Sequence, residues 1–258
     1  MAPTTYRKLQ DRHVLIIGGS SGIGYAVADG SLASGAKVTI SSSSQNKIST
    51  AINQLKSEYP NQPLIQGLAC DLSKPDTLEA NLESLFATAQ STQGQISHVV
   101  FTAADSLTIT NLGNITPAII HQASQMRFVA PLIVAKIAGR YLSKTTSSSI
   151  VFTTGCVAEK PTPGWSLITF LAGGLSSLVK GLAVDLAPVR VNAVRPGYVD
   201  TPLWQEDQKA FMTDVLKEKS LTGKFGKVED VAEAYLWLLK DENVTGTVAG
   251  TDGGVLLV

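Results

Sequence analysis

A short β-branched run, His13–Ile17, ends in Gly18-Gly19-Ser20-Ser21-Gly22-Ile23-Gly24, and a helical pattern over Ile23–Ala33 begins at once. Few architectures take a strand through a glycine-rich turn directly into a helix. Glycine lets the backbone bend sharply and approach another group closely. The helix start adds unpaired N–H groups at the positive end of its dipole. Together they suit a pyrophosphate held on backbone amides. Glycine-rich turns also serve purely structural ends, so the loop alone leaves both readings open. Its position after a strand and at a helix start favours the phosphate.

The rest of the chain repeats the alternation. Further β-branched runs lie at Lys37–Ser41, Leu64–Ala69, His98–Ala103, Ser149–Thr153, Arg190–Val194 and Thr245–Gly250. Between them Asn46–Glu58, Asp76–Ala89, Ile119–Leu142, Trp165–Leu186 and Val228–Lys240 show apolar spacing near 3.6. Strands that read as near-continuous apolar runs are those covered on both faces. The expectation is an α/β fold: a doubly wound parallel sheet of about seven strands, with right-handed crossovers and helices on both faces. Ser41–Ser44 is too short to be a linker, and no repeat divides the chain, so residues 1–258 read as one domain.

Composition excludes several function classes. Lys plus Arg and Asp plus Glu each total 21, leaving no net charge to draw the chain to nucleic acid or a membrane surface. Apolar runs break before the ~20 residues that a bilayer span needs. Met1–Arg12 is polar, without the apolar core of an export signal. Cys70 and Cys156 are too few for a disulfide framework or a zinc site, and His13, His98 and His121 lack ligand spacing, so no metal is expected. These features predict a cytoplasmic protein with a small-molecule partner.

The spacing Gly18-x3-Gly22-x-Gly24 is similar to that of short-chain dehydrogenases/reductases, with Ile17 where the family usually has Thr. Three more segments resemble the family in order: Asp71-Leu72, Asn192-Ala-Val-Arg-Pro196-Gly197-Tyr-Val199-Asp-Thr201 and Asp252-Gly253-Gly254. The resemblance covers essentially the whole chain and implies a Rossmann fold that binds a nicotinamide dinucleotide. It implies cofactor contacts at Gly18, Ser20, Ser21, Gly22, Ile23 and Gly24, at Asp71 and Leu72 beside the adenine, and at Thr102 and Ala103. On the nicotinamide side it implies Pro196, Gly197, Val199 and Thr201. A homodimer or homotetramer is expected by the same analogy.

The second strand bears on cofactor choice. A ribose 2′-OH is usually held by an acid about 20 residues past the glycines, and no carboxylate lies between Asp29 and Glu58. Ser42, Ser43 and Ser44 stand there instead, with Lys47 close behind. Hydroxyls, helix N–H groups and an ammonium suit a 2′-phosphate, so NADP(H) is expected. A polar turn capped by Ser44 is compatible with the same residues.

The family usually carries Asn, Ser, Tyr and Lys at its reacting centre. In Gly164-Trp165-Ser166-Leu167-Ile168-Thr169-Phe170-Leu171-Ala172, Ile168 falls at the Tyr position and Ala172 at the Lys position. The Ser position falls on Thr154 or Gly155, and Arg127 matches the Asn. Removing a positioned general acid costs ~10²–10⁴ in rate for a reaction that must protonate an alkoxide. An iminium cation has no such need, because hydride alone yields a neutral amine. A carboxylate would favour a cation, and Asp105 at the sheet's C-terminal edge is the candidate. Arg127 would pair with Asp105, hold the cofactor, or donate to a substrate carbonyl; a mutual salt bridge without a substrate role is the plain alternative.

Val100-Phe-Thr-Ala-Ala-Asp105, Arg127-Phe-Val-Ala-Pro131, Pro161-Thr-Pro-Gly-Trp-Ser-Leu167 and Thr245-Gly-Thr-Val resemble one branch in particular. It comprises the NADPH-dependent reductase/Diels–Alderases of fungal indole alkaloid biosynthesis, which reduce a cyclic iminium dipeptide and then close a ring by [4+2] cycloaddition. The branch has Arg at the position of Arg127, Trp at that of Trp165 and Asp at that of Thr162, so Thr162 is a departure. Trp165, Phe170, Trp204, Phe211 and Met212 are candidates for an aromatic pocket, with Trp204–Met212 in the family's lid position. The catalytic candidates are therefore Arg127, Asp105, Thr154 and Trp165. A redox-silent cyclase and a non-catalytic dinucleotide-binding protein fit the lost Tyr and Lys equally well.

Overall fold

The computed structural model describes residues 6–61, 64–204, 216 and 218–258. Among them, β1 (His13–Ile17), β2 (Lys37–Ser42), β3 (Ile65–Ala69), β4 (Ile96–Phe101), β5 (Ser149–Thr153), β6 (Arg190–Pro196) and β7 (Val248–Thr251) pair in parallel. Their order is β3-β2-β1-β4-β5-β6-β7, the expected doubly wound α/β arrangement. It reverses between β1 and β4, and a crevice opens past the carboxyl ends of strands at such a reversal.

Helices cover both faces, as the apolar strands require. One face carries α1 (Gly22–Ala33), α2 (Gln45–Glu58) and α7 (Val228–Lys240), which bury Val27, Leu32, Leu55, Tyr235 and Leu238 against Ile16, Ile40 and Val151. The other carries α3 (Pro75–Gln93), α5 (Ala130–Tyr141) and α6 (Ser166–Asp185), burying Leu82, Phe86, Val134, Ile137 and Val179 against Val99 and Phe152. Arg190 is buried at the far edge, donating to the carbonyls of Leu238 and Leu239 at 2.6 and 2.9 Å and so closing the C-terminal end of α7.

Two expectations change. The single helix over Ile119–Leu142 is instead α4 (Pro117–Ser124), a π-helical turn over Gln125–Val129, and α5. Pro131 supplies the reason: it has no N–H for the Arg127 carbonyl four residues back, and its ring crowds that carbonyl. The expectation that apolar runs break before the length of a bilayer span also changes: α6, expected as a helix over Trp165–Leu186, is long and apolar enough to cross a membrane, with a mean hydropathy of 1.7. It is the crossover between the parallel neighbours β5 and β6 and packs on β6, so its apolar character has a place in this fold.

Candidate functional site

A cleft of about 560 Å³ lies over the carboxyl ends of the strands. One half is built from backbone. Gly18 has φ +96°, and a Cβ there would stand 2.4 Å from the Ala103 nitrogen. A Cβ on Gly24 would meet the Gly18 carbonyl oxygen at 2.3 Å and Thr102 Oγ1 at 2.4 Å. Thr102 Oγ1 donates to that carbonyl at 3.2 Å, tying the glycine loop to the end of β4. The first turn of α1 holds no acid, and the Ser21 hydroxyl does not cap it. Its N–H groups thus face the cleft unpaired by side chains, a ready cradle for an anionic pyrophosphate.

Ser20, Ser21, Gly22, Ile23, Gly24, Ser42, Ser43, Thr102, Ala103, Pro196, Gly197, Val199 and Thr201 all line the cleft, together with Lys47. Gly22 brings the glycine loop against Thr201, its would-be Cβ lying 3.3 Å from Thr201 Cγ2. Four other positions sit outside its lining, Gly18 among them, packed against Ala103 past the end of β4. Ser44 caps α2, accepting from the Lys47 N–H at 3.4 Å. Leu72 is buried in the core, and Asp71 Oδ1 accepts from the Ser73 N–H at 2.9 Å and hydroxyl at 2.7 Å. Those bonds hold the Asp71 carboxyl below its usual pKa, and neither Asp71 nor Leu72 reaches the cleft wall.

The other half is built from side chains. Arg127, presented by the π turn, and Asp105, beyond β4, both line the cleft. Arg127 Nη2 lies 3.1 Å from Asp105 Oδ1 and donates to the Asp105 backbone carbonyl at 2.5 Å. Oδ1 itself is buried and accepts no well-aligned hydrogen bond, so the ion pair is Coulombic. The side chains are 20% and 39% exposed. Burial lowers the Arg127 pKa and Asp105 opposes it; an arginine stays protonated throughout.

Ile168 and Ala172 also line this half. Thr154 does too, but its hydroxyl donates to the Ala172 carbonyl at 2.9 Å. That corrects the place of Thr154 among the catalytic candidates as a donor, since its one proton is engaged by α6. Trp165 and Trp204 line the cleft. Phe170 does not: it is 59% exposed and stacks on Phe128 at 6.3 Å, outside the pocket. Phe211 and Met212 lie outside the described residues. His13 and His98 are buried and bonded to Thr39 and Ser149, with no metal-holding cluster among the described residues.

Sequence reasoning passed over Lys160, Cys156 and Tyr198, which line the same wall. Lys160 Nζ donates to the Val255 carbonyl at 2.8 Å, and burial, chiefly, raises the Cys156 thiol pKa. Tyr198 stood inside a segment read for its backbone, which hid its side chain.

A family model of SDR-like Rossmann domains matches residues 6–258. The chain is 45% identical over 256 residues to the short-chain dehydrogenase/reductase fsr5 of Gibberella fujikuroi, covering 97% of this chain and 96% of that protein. It is 42% identical over 264 residues to the short-chain dehydrogenase/reductase malC of Malbranchea aurantiaca, covering all of both. The solved structure of the MalC reductase/Diels–Alderase from Malbranchea aurantiaca superposes with a TM-score of 0.93 at 41% identity, covering 99% of this chain and 100% of that one.

Proposed function

This chain belongs to the short-chain dehydrogenase/reductase family, and from that premise we propose that it is an NADP(H)-dependent reductase of an iminium or similarly activated electrophile. The observation that carries this reading is the joining, in one cleft, of an intact glycine cradle to an apolar wall at Ile168 and Ala172. NADPH, when bound, supplies a hydride. The glycine loop and the first turn of α1 would hold its pyrophosphate, Ser42, Ser43 and Lys47 its 2′-phosphate, and Pro196, Gly197, Val199 and Thr201 its nicotinamide end.

What the protein adds on the substrate side is charge and shape. Asp105 offers a partly exposed carboxylate to a cation. Arg127 fixes that carboxylate and can donate from its remaining N–H groups. Trp165 and Trp204 supply flat surfaces for a heterocycle. No residue has to deliver a proton, because hydride addition to an iminium leaves a neutral amine. The likeness to a reductase/Diels–Alderase supports a nitrogen heterocycle of alkaloid biosynthesis as substrate, with a [4+2] ring closure in the same cleft as the second reading. Thr162 cannot serve that closure as a carboxylate would.

The exposed apolar residues Phe128, Val129, Leu132 and Phe170 support a homodimer or homotetramer. The balanced charge supports a cytoplasmic protein without nucleic-acid or membrane partners. Reduction of a cyclic iminium dipeptide with NADPH deuterated at its transferring position tests the function. The product should gain one deuteron at the former iminium carbon; an unlabelled cyclised product would mean a redox-silent cyclase.

A further inference from the structure

Arg127 reaches the cleft from the π turn, whereas its neighbour Phe128 lies outside the lining. We propose that Phe128 is a positioning residue: seated on α6, it fixes where the π turn presents Arg127. What Arg127 acts on rests on the reductase reading; how it is held does not.

Side chains fasten the turn to three neighbours. At its start Gln125 Nε2 donates to the Leu72 carbonyl at 2.9 Å, tying it to the segment after β3. On the cleft side Arg127 meets Asp105. On α6 the Phe128 ring stacks on Phe170, with centroids 6.3 Å apart and planes 18° from parallel. A Cβ on Gly174 would stand 2.8 Å from Phe128 Cε2 and 3.4 Å from Cδ2, so the missing side chain makes the seat for the ring. Phe170 and Gly174 are four residues apart and share one stripe of α6. Ile168 and Ala172 have the same spacing and form the stripe of α6 that lines the cleft. One helix thus carries both the apolar wall and the seat that sets Arg127 relative to it.

The turn needs such a seat. Pro131 leaves the Arg127 carbonyl without its α-helical donor, so the regular ladder does not hold the backbone here. Asp105 is a poor anchor by itself. It lies in the irregular segment beyond β4, and its carboxylate is partly exposed, where an ion pair contributes little. An aromatic pair packed on a helix is worth more than that and has a preferred geometry. Phe128 therefore supplies the fixed point from which Arg127 reaches Asp105 and the substrate.

Two readouts test this. One is the Arg127 Nε–H signal in NMR spectra of protein made with isotope-labelled arginine, assigned by its loss in Arg127→Ala. The other is single-turnover reduction of a cyclic iminium by NADPH. Phe128→Leu removes the stack, and Gly174→Ala keeps the phenylalanine but displaces its ring. Both should shift the Arg127 signal and slow reduction about tenfold, as a misplaced site group does. Neither should slow it further in an Arg127→Ala background. Phe128→Tyr keeps the stack and should restore wild-type signal and rate. Alanine is a better helix former than glycine, so Gly174→Ala should not lower the melting temperature, and its rate loss is then not one of stability. An unmoved Arg127 signal in both variants would overturn the proposal. So would rate losses that add in full to that of Arg127→Ala, or that follow a change of subunit number in sedimentation. If the wild type reduces no iminium, the reductase reading fails and the spectra alone decide on Phe128.

Discussion

The two halves of the cleft are made of different material. The cofactor half is backbone: glycines without room for a Cβ, a helix start without a cap, and strand ends tied to one another. The other half is side chain: Asp105 against Arg127, the apolar Ile168 and Ala172, and the rings of Trp165 and Trp204. Backbone that already carries the fold cannot change without unfolding it, whereas side chains on the far wall can be exchanged for another chemistry. A fold can therefore keep its cofactor cradle and alter its reaction.

The largest effect should come from breaking the backbone half. Gly24→Ala would place a methyl against the Gly18 carbonyl and Thr102, both of which must shift. NADPH affinity measured by fluorescence titration should fall more than ~100-fold, with destabilisation of about 1–3 kcal/mol. Thr154→Val, a comparable change in the side-chain half, should leave NADPH affinity within about twofold, because Ser176 also donates to the Ala172 carbonyl at 3.0 Å. Wild-type affinity in Gly24→Ala would end the distinction between the halves.

Asp105→Asn and Arg127→Ala come next. Each should slow single-turnover reduction of an iminium by about 10- to 100-fold while NADPH affinity holds. Asp105 is more than a third exposed, so loss of the ion pair alone is worth about 1 kcal/mol or less in stability. A large fall in melting temperature with normal rates in the folded fraction would make the pair structural. A smaller effect is expected within the cofactor half. Lys47→Ala should weaken NADPH about tenfold and leave NADH unchanged, since one charge-assisted bond to the 2′-phosphate is lost. Equal losses for both cofactors would refute the assignment.

The smallest effect belongs to neither half. His98, bonded to Ser149 under the sheet, is pushed down to about 3, chiefly by burial and secondarily by the Arg190 charge. Its folded pKa lies below the unfolded value, so the unfolded state binds the proton first and stability falls as pH drops below about 6.5. The slope is about 1.4 kcal/mol per pH unit until the folded group titrates. Urea midpoints at pH 7 and pH 5.5 check it, with His98→Asn expected to be the flatter of the two.

The strand–helix alternation made the sheet and both helical layers legible, because parallel strands covered on two faces must be apolar throughout. The glycine loop was legible for the same reason: its requirements are local. The break before α5 could be read in Pro131 once its missing N–H is set against the Arg127 carbonyl. What was not legible depends on contacts between distant residues. Nothing near Thr154 tells that its proton goes to Ala172, eighteen residues on. Asp71 lies in the expected sequence context, yet its own neighbour Ser73 takes up Oδ1. Phe170 has helical aromatic spacing but sits on the outer side of α6.

The most direct test compares two substrates on one enzyme. With saturating NADPH, single-turnover rates are measured for a cyclic iminium and for a panel of ketones and aldehydes, each at saturating concentration. The altered side-chain half predicts measurable iminium reduction and carbonyl reduction near background, since Ile168 cannot give a proton and Ala172 cannot assist one. Robust ketone turnover, or no iminium reduction by protein that binds NADPH, would contradict it.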